Sequence, residues 1–225
     1  MDEGSPTVGR DAPSSGPAEP ELRRATPEDV PRLRAMLAEA FFEDPILGWL
    51  MPDAAKRRSR LRRFFAIELR HMVLPRGRVW TTSDLTGAAL SLPPGAWRAP
   101  LRVTLLEGPA FGVHLSRAAR FAAAMEWRHV RESHYYVRDV GVLPEMQGKG
   151  LGSALLRPTL DRCDQEGLPA YLEASSERNA ALYERLGFQL TDELRIAGSP
   201  PLRLMLRRPH PTRARPQLRP DDPAT

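Results

Sequence analysis

The sequence predicts an α/β protein with one folded domain over residues 21–208, flanked by disordered tails at 1–20 and 209–225. Three observations carry this. Strand-like and helix-periodic stretches alternate along the chain, and the helical ones bear their own start signals. In addition, a buried-strand pattern runs directly into a glycine-rich turn that opens a helix, in GVLPEMQGKGLGSALL, residues 141–156. The tails are rich in Pro, Ser, Gly and charge and cannot bury enough apolar surface to order themselves.

Each element follows from local chemistry. ELRRA is a short strand. Thr26 caps the helix after it, with Pro27 in the first position and Glu28 and Asp29 in the first turn, where the positive end of the helix dipole favours acid. That helix continues to about Glu43, and Asp44-Pro45 breaks it. KRRSRLRR, Lys56 to Arg63, holds six basic residues in eight. Leu61, Phe64, Phe65, Leu69 and Met72 fall at helical spacing, so the arginines take the solvated face of an amphipathic helix. GRVWTTSD and TGAALSLPPG pair as a hairpin, followed by a mostly helical region from about Pro100 to Arg131. HYYVRDVGVL is a strand whose alternation gives way to an apolar run as burial becomes two-sided. Helix 150–166, strand PAYLEA, helix 177–186 and strands within FQLTDELRI and LRLMLRR complete the order. Ser175 or Ser176 caps helix 177–186 and Gly187 stops it. Pro158, in the middle of helix 150–166, predicts a bend.

Composition excludes several classes of function. At 225 residues and 41% apolar, the chain can build a real core. No apolar run approaches the ~18 residues of a membrane span, and residues 1–20 lack both the basic start and the apolar centre of a signal peptide, so none is expected. A soluble cytoplasmic protein with no membrane partner is expected. Cys163 is the single cysteine and reads as a core or half-buried thiol; His71, His114, His129, His134 and His210 show no metal-ligand spacing, so no metal is expected. The net charge of +5 raises a nucleic-acid partner. The solvated reading of the basic helix and the near-absence of Lys (Lys56 and Lys149 only) weigh against it, and none is expected.

The turn at Gly148, Gly150 and Gly152 carries the chemistry. Uncovered backbone N–H groups at a helix start converge on an anion, so a phosphate or pyrophosphate belongs there. A P-loop needs Ser or Thr directly after Gly-Lys, whereas Lys149 is followed by Gly150. A dinucleotide fingerprint wants G-x-G-x-x-G on the first strand; this is G-x-G-x-G about 140 residues into the chain.

Gln147, Gly150 and Gly152 in V-x-P-x-x-Q-G-K-G-L-G-S-A-L-L resemble the acetyl-coenzyme-A signature of the GNAT superfamily of N-acetyltransferases. PAYLEASSERNAALYERLGFQ agrees, and residues 134–192 together resemble the puromycin-type, small-molecule-acetylating branch. The resemblance implies a mixed, mostly antiparallel twisted sheet with helices on both faces and a V-shaped splay between its two central strands. It implies acetyl-CoA as co-substrate, with its pantetheine arm against Val142 and its pyrophosphate held by Gln147, Gly148, Lys149, Gly150, Leu151, Gly152 and Ser153. Lys149 reads equally as an exposed loop lysine.

On the same terms Asn179 contacts the cofactor, and Tyr183, four residues on and so on the same helix face, donates a proton to the departing thiolate. Glu173 is the first candidate for relaying the proton lost by the acceptor amine, with Glu132 and His134 behind it. The resemblance also places the oxyanion against the N–H of Val142, at a bulge. Phe41, Phe42, Asp44 and Trp49 suit an amine with an apolar body, and suit core packing as well. The expected activity is acetyl transfer to a primary amine of a small molecule by direct attack in a ternary complex, in a monomer or homodimer. A protein or peptide acetyltransferase is the alternative, and a non-catalytic CoA-sensing or nucleic-acid-binding module a third reading. Tyr183 argues against the third, since a binder needs no proton donor.

Overall fold

A computed structural model describes residues 20–210. The tail readings for 1–19 and 211–225 lie outside the described residues. A seven-stranded sheet in the order β1-β2-β3-β4-β5-β7-β6 forms the centre. Its strands are β1 (Leu22–Arg24), β2 (Arg78–Thr82), β3 (Gly87–Leu92), β4 (Tyr135–Val142), β5 (Ala170–Ala174), β6 (Gln189–Leu194) and β7 (Leu202–Arg207). Every neighbouring pair is antiparallel except β4 with β5.

The β4–β5 ladder is also the shortest. It holds two pairs, Tyr135 with Ala170 and Tyr136 with Tyr171, and beyond them the strands part. This is the expected V-shaped splay.

Side chains alternate across the sheet into two cores. Ala88, Leu90, Leu92, Tyr136 and Tyr171 face one core, covered by α1 (Val30–Ala40), α3 (Ala54–Ile67), α4 (Leu101–Phe111) and α5 (Leu115–Arg128). Ala89, Tyr135, Val137, Leu172 and Ala174 face the other, covered by α6 (Leu151–Glu166) and α7 (Glu177–Arg185). Helices on both faces are thus as expected.

Several local outcomes differ from the sequence reading. Pro27–Asp29 forms a separate 3-10 turn, closed reciprocally by Thr26 and Asp29, and α1 begins at Val30 and ends at Ala40. Asp44 then starts a short helix, α2 (Pro45–Leu50), accepting from the N–H groups of Ile46 and Leu47. The basic helix α3 runs on into a π-helical segment, Glu68–Val73, whose wider turn presents Glu68 to the interior with no exposure. Finally, Arg57 is no solvated bystander: its guanidinium donates to the carbonyls of Met51, Phe42 and Pro52, tying α3 to the segment around α2. Pro158 sits inside α6, which runs unbroken to a left-handed stop at Gly167.

Candidate active site

The glycine turn shapes a cleft of about 380 Å³ on the α6–α7 face. Gly148 and Gly150 both have φ of 79°, where an L side chain is strained, and a Cβ on either would meet nothing within 4 Å. The backbone is therefore bare and open. Gly150 caps α6 with no side chain in play, and the first helical bond runs from the Ala154 N–H to the Gly150 carbonyl. The N–H groups of Leu151, Gly152 and Ser153 precede that bond and point out of the helix start, at the positive end of its dipole. Arg178 and Arg185 of α7 add positive charge to the lining. These features fit a pyrophosphate carrier.

Asn179 and Tyr183 line the same cleft from α7. Ser176 caps this helix by accepting the Asn179 N–H at 3.2 Å, and Gly187 (φ 89°) closes it, with the Phe188 N–H on the Tyr183 carbonyl. The Tyr183 ring packs edge-on against Phe188 at 5.9 Å and is 7% exposed. Burial first, then the charges of Asp139 and Asp44, push its hydroxyl pKa above the ordinary range. The neutral, donating form is therefore favoured.

The opposite face of the splay is acidic. The β3–β4 register shifts between Leu90, paired with Asp139, and Ser91, paired with Val137. Arg138 is the extra residue of this bulge, and a bulge lets neighbouring residues share a face. Arg138 forms a two-pronged ion pair with buried Glu68. Glu107 meets Glu68 too, and burial with that neighbouring charge raises its pKa to about 10, so it stays protonated. Burial, then the Glu68 charge, raises Asp139 to about 7. Oxygens of Asp139, Glu107 and Glu173 are buried without hydrogen-bond partners.

The Acetyltransferase (GNAT) family model matches residues 104–188, and a sequence match covers most of the chain. That relative, an uncharacterized N-acetyltransferase of Schizosaccharomyces pombe, is 29% identical over 206 residues, 83% of each chain. In sequence and in fold the chain resembles the GNAT acetyltransferases. A solved Corynebacterium glutamicum structure, of histone acetyltransferase HPA2 and related acetyltransferase, is 26% identical with a TM-score of 0.64, covering 87% of this chain and 99% of its own. A GCN5-like protein acetyltransferase of Mycobacterium tuberculosis is 32% identical over 135 residues, 56% of this chain and 59% of that relative. The protein is an N-acetyltransferase, and the GNAT family that it resembles uses acetyl-CoA as co-substrate.

The acetyltransferase's cleft brings together Val142, Gln147, Gly148, Gly150, Leu151, Gly152, Ser153, Asn179 and Tyr183, which the sequence had singled out. Lys149 is not among the lining residues; its ammonium lies 3.5 Å from the Met146 sulfur. The Gln147 amide donates to the Val142 carbonyl at 3.1 Å, so one lone pair of that carbonyl is already engaged. The β-bulge falls at Arg138, four residues before Val142, where it had been expected.

On the acceptor side the aromatic residues do not converge. Phe41 packs on Phe65 at 5.2 Å and lies over Gly141, Phe42 lies under the guanidinium groups of Arg57 and Arg58, and Trp49 packs on Phe121 at 5.8 Å. Asp44 caps α2 and accepts from the Ser175 hydroxyl, a structural duty that links the α1–α2 connection to the start of α7. Glu173 lies at the splay, its side chain 6% exposed and 3.6 Å from the His129 ring.

Sequence reasoning missed Asp139, His129, Arg178 and Arg185. Asp139 left a signal, an acid inside an otherwise apolar stretch of strand. His129 left none.

Among the described residues, no helix of the acetyltransferase is long and apolar enough to cross a membrane.

Proposed function

We propose that this acetyltransferase moves the acetyl group of acetyl-CoA onto the primary amine of a small cationic molecule, by direct attack in a ternary complex. One observation carries the reading. The bare glycine turn and Tyr183 lie on one face of the splayed strands, while Asp139 and Glu173, each with one buried oxygen that has no hydrogen-bond partner, lie on the other. A thioester reaching between β4 and β5 supplies an activated acyl carbon. The chain's own residues do the rest.

The N–H groups from Gly148 to Ser153, with Arg178 and Arg185, hold the pyrophosphate end. Asn179 fixes the arm beside α7. Buried carboxylates without hydrogen-bond partners favour a cation, because an ammonium supplies the donors they lack. Glu173 takes the proton that the ammonium must lose, and the Tyr183 hydroxyl delivers one to the departing thiolate. The protein works in the cytoplasm on this reading, as its single buried thiol, Cys163, accords with a reducing compartment.

Thiol release from acetyl-CoA, measured against a panel of aliphatic amines, diamines, amino sugars, puromycin and N-terminal peptides, tests the proposal. Turnover with small cationic amines and none with peptides is expected. Preference for peptides would overturn the acceptor class and leave the transfer chemistry standing.

A further inference from the structure

His129 and His134 lie behind Glu173, and their hydrogen bonds fix where the protons are. His134 Nδ1 is 2.7 Å from the Glu132 carbonyl, which can only accept, so this nitrogen carries the hydrogen. Burial first lowers the His134 pKa and keeps the ring neutral, leaving its Nε2 bare. That bare nitrogen lies 3.0 Å from His129 Nε2, which must therefore be the donor. A neutral His129 then has its only lone pair on Nδ1. This atom faces Glu173 Oε1 at 3.6 Å, and that oxygen is buried with no hydrogen-bond partner. With His129 neutral, two proton acceptors thus look at each other across a gap too long for a hydrogen bond, and the hydroxyls of Tyr136 and Tyr171 reach the same carboxylate.

Solvent has little access to the pair. The two side chains are 3% and 6% exposed, Trp97 stacks on His129 at 3.8 Å, and the Tyr136 and Tyr171 rings stand edge-on at 5.1 and 4.6 Å. Glu173 shares the face of Tyr171 and lies two residues beyond the last β4–β5 rung, where the slot opens.

We propose that Glu173 and His129 form a single proton receptor for the acceptor ammonium, with His134 as the positioning residue that fixes the His129 tautomer. The inference rests on the acetyl-transfer reading. An N–H bond of the ammonium breaks, its electron pair stays on nitrogen as the attacking lone pair, and the proton bridges Glu173 and His129 Nδ1. The pair goes from one negative charge to none and closes to about 2.8 Å, a charge-assisted bond. After product release the open slot returns the proton to water. The titratable groups facing the pair are His134, Tyr136 and Asp139 from β4 and its approach, and Tyr171 from β5; Glu132 acts on His134, Arg138 on Tyr136 and Asp139, and Asp192 on Tyr171.

Two experiments decide it. Nitrogen-15 NMR of the free enzyme near neutral pH reads the tautomers without any turnover: His129 protonated at Nε2 and His134 at Nδ1 are expected, and a free-enzyme His129 carrying its proton on Nδ1 would overturn the proposal. His129→Gln keeps a donor at the Nε2 position and removes Nδ1. Its kcat with the best amine should fall about 10²-fold, the lower end of what a positioned base contributes. The acidic limb of its pH–rate profile should move to lower pH, because Glu173 alone binds a proton less tightly, while KM for acetyl-CoA stays put. Glu173→Gln/His129→Gln should be no slower than Glu173→Gln, since one receptor can be lost only once. An unmoved acidic limb, or losses that multiply, would overturn the pair. A parent enzyme that acetylates no amine would sink the acetyl-transfer reading, and the tautomers would still decide the pairing.

Discussion

Tyr183 and Asp139 show how burial sets opposite chemical tasks on side chains within reach of one another. Desolvation keeps the Tyr183 phenol neutral, so it remains a donor wherever the enzyme is assayed and contributes no alkaline limb below about pH 10. Tyr183→Phe keeps the ring against Phe188 and removes only the donor. Calorimetry should find acetyl-CoA affinity unchanged, and single-turnover rates should fall by about 10²- to 10⁴-fold. Asp139 makes a prediction about stability. An unperturbed aspartate titrates near about 3.9, whereas in the fold Asp139 titrates at about 7. Between those values the folded state holds more protons than the unfolded chain, so stability falls as pH rises. The melting temperature should decline from pH 5 to pH 7. Asp139→Asn should make that stretch shallower and leave the slope that Glu107, raised to about 10, contributes both across it and above pH 7. A pH-independent melting temperature in the parent would contradict the acidic cluster.

The start of α6 is where an element carries function directly. Gly150→Asp places a negative charge at the mouth of the uncapped helix, at a φ of 79°, with nothing within 4 Å to absorb it. Acetyl-CoA affinity should drop about 10²-fold, or about 2.7 kcal/mol, with far-UV circular dichroism unchanged. An unchanged Kd would remove this turn from the site. The turn was legible in the sequence because everything it needs is local: a strand pattern, positive-φ glycines and a helix start within sixteen residues. The cap at Ser176 and the stop at Gly187 were legible for the same reason. What was not legible depends on distant partners. The Glu68–Arg138 pair joins residues 70 apart, the π-helical segment that aims Glu68 follows no residue pattern, and the bulge at Arg138 exists only as a register against β3. The aromatic residues Phe41, Phe42 and Trp49 could have served a core or a pocket equally, and only packing against Phe65, Arg57, Arg58 and Phe121 separates the two.

The whole chain carries a net charge of +5, while Glu68, Glu107, Asp139 and Glu173 each place carboxylate oxygens in the interior. The exposed arginines of α3 should give DNA binding that is weak, blind to sequence and steeply lost with salt. Fluorescence anisotropy checks this, and a tight, sequence-selective complex at physiological salt would contradict it. The two-rung ladder between β4 and β5 reaches further. Strands β1–β4 and β5–β7 are each knitted by long antiparallel ladders, but across the middle the sheet is stitched at one end only. Past Tyr136 and Tyr171, the edges facing the gap lack a neighbouring strand, so their amides exchange with solvent deuterium whenever the gap breathes. A ligand arm lying in the gap would supply the missing rungs and fasten the two halves together. Acetyl-CoA should therefore slow exchange along both lips of the opening, in residues 137–142 and 172–174, and leave the outer strands β1 and β6 as they were.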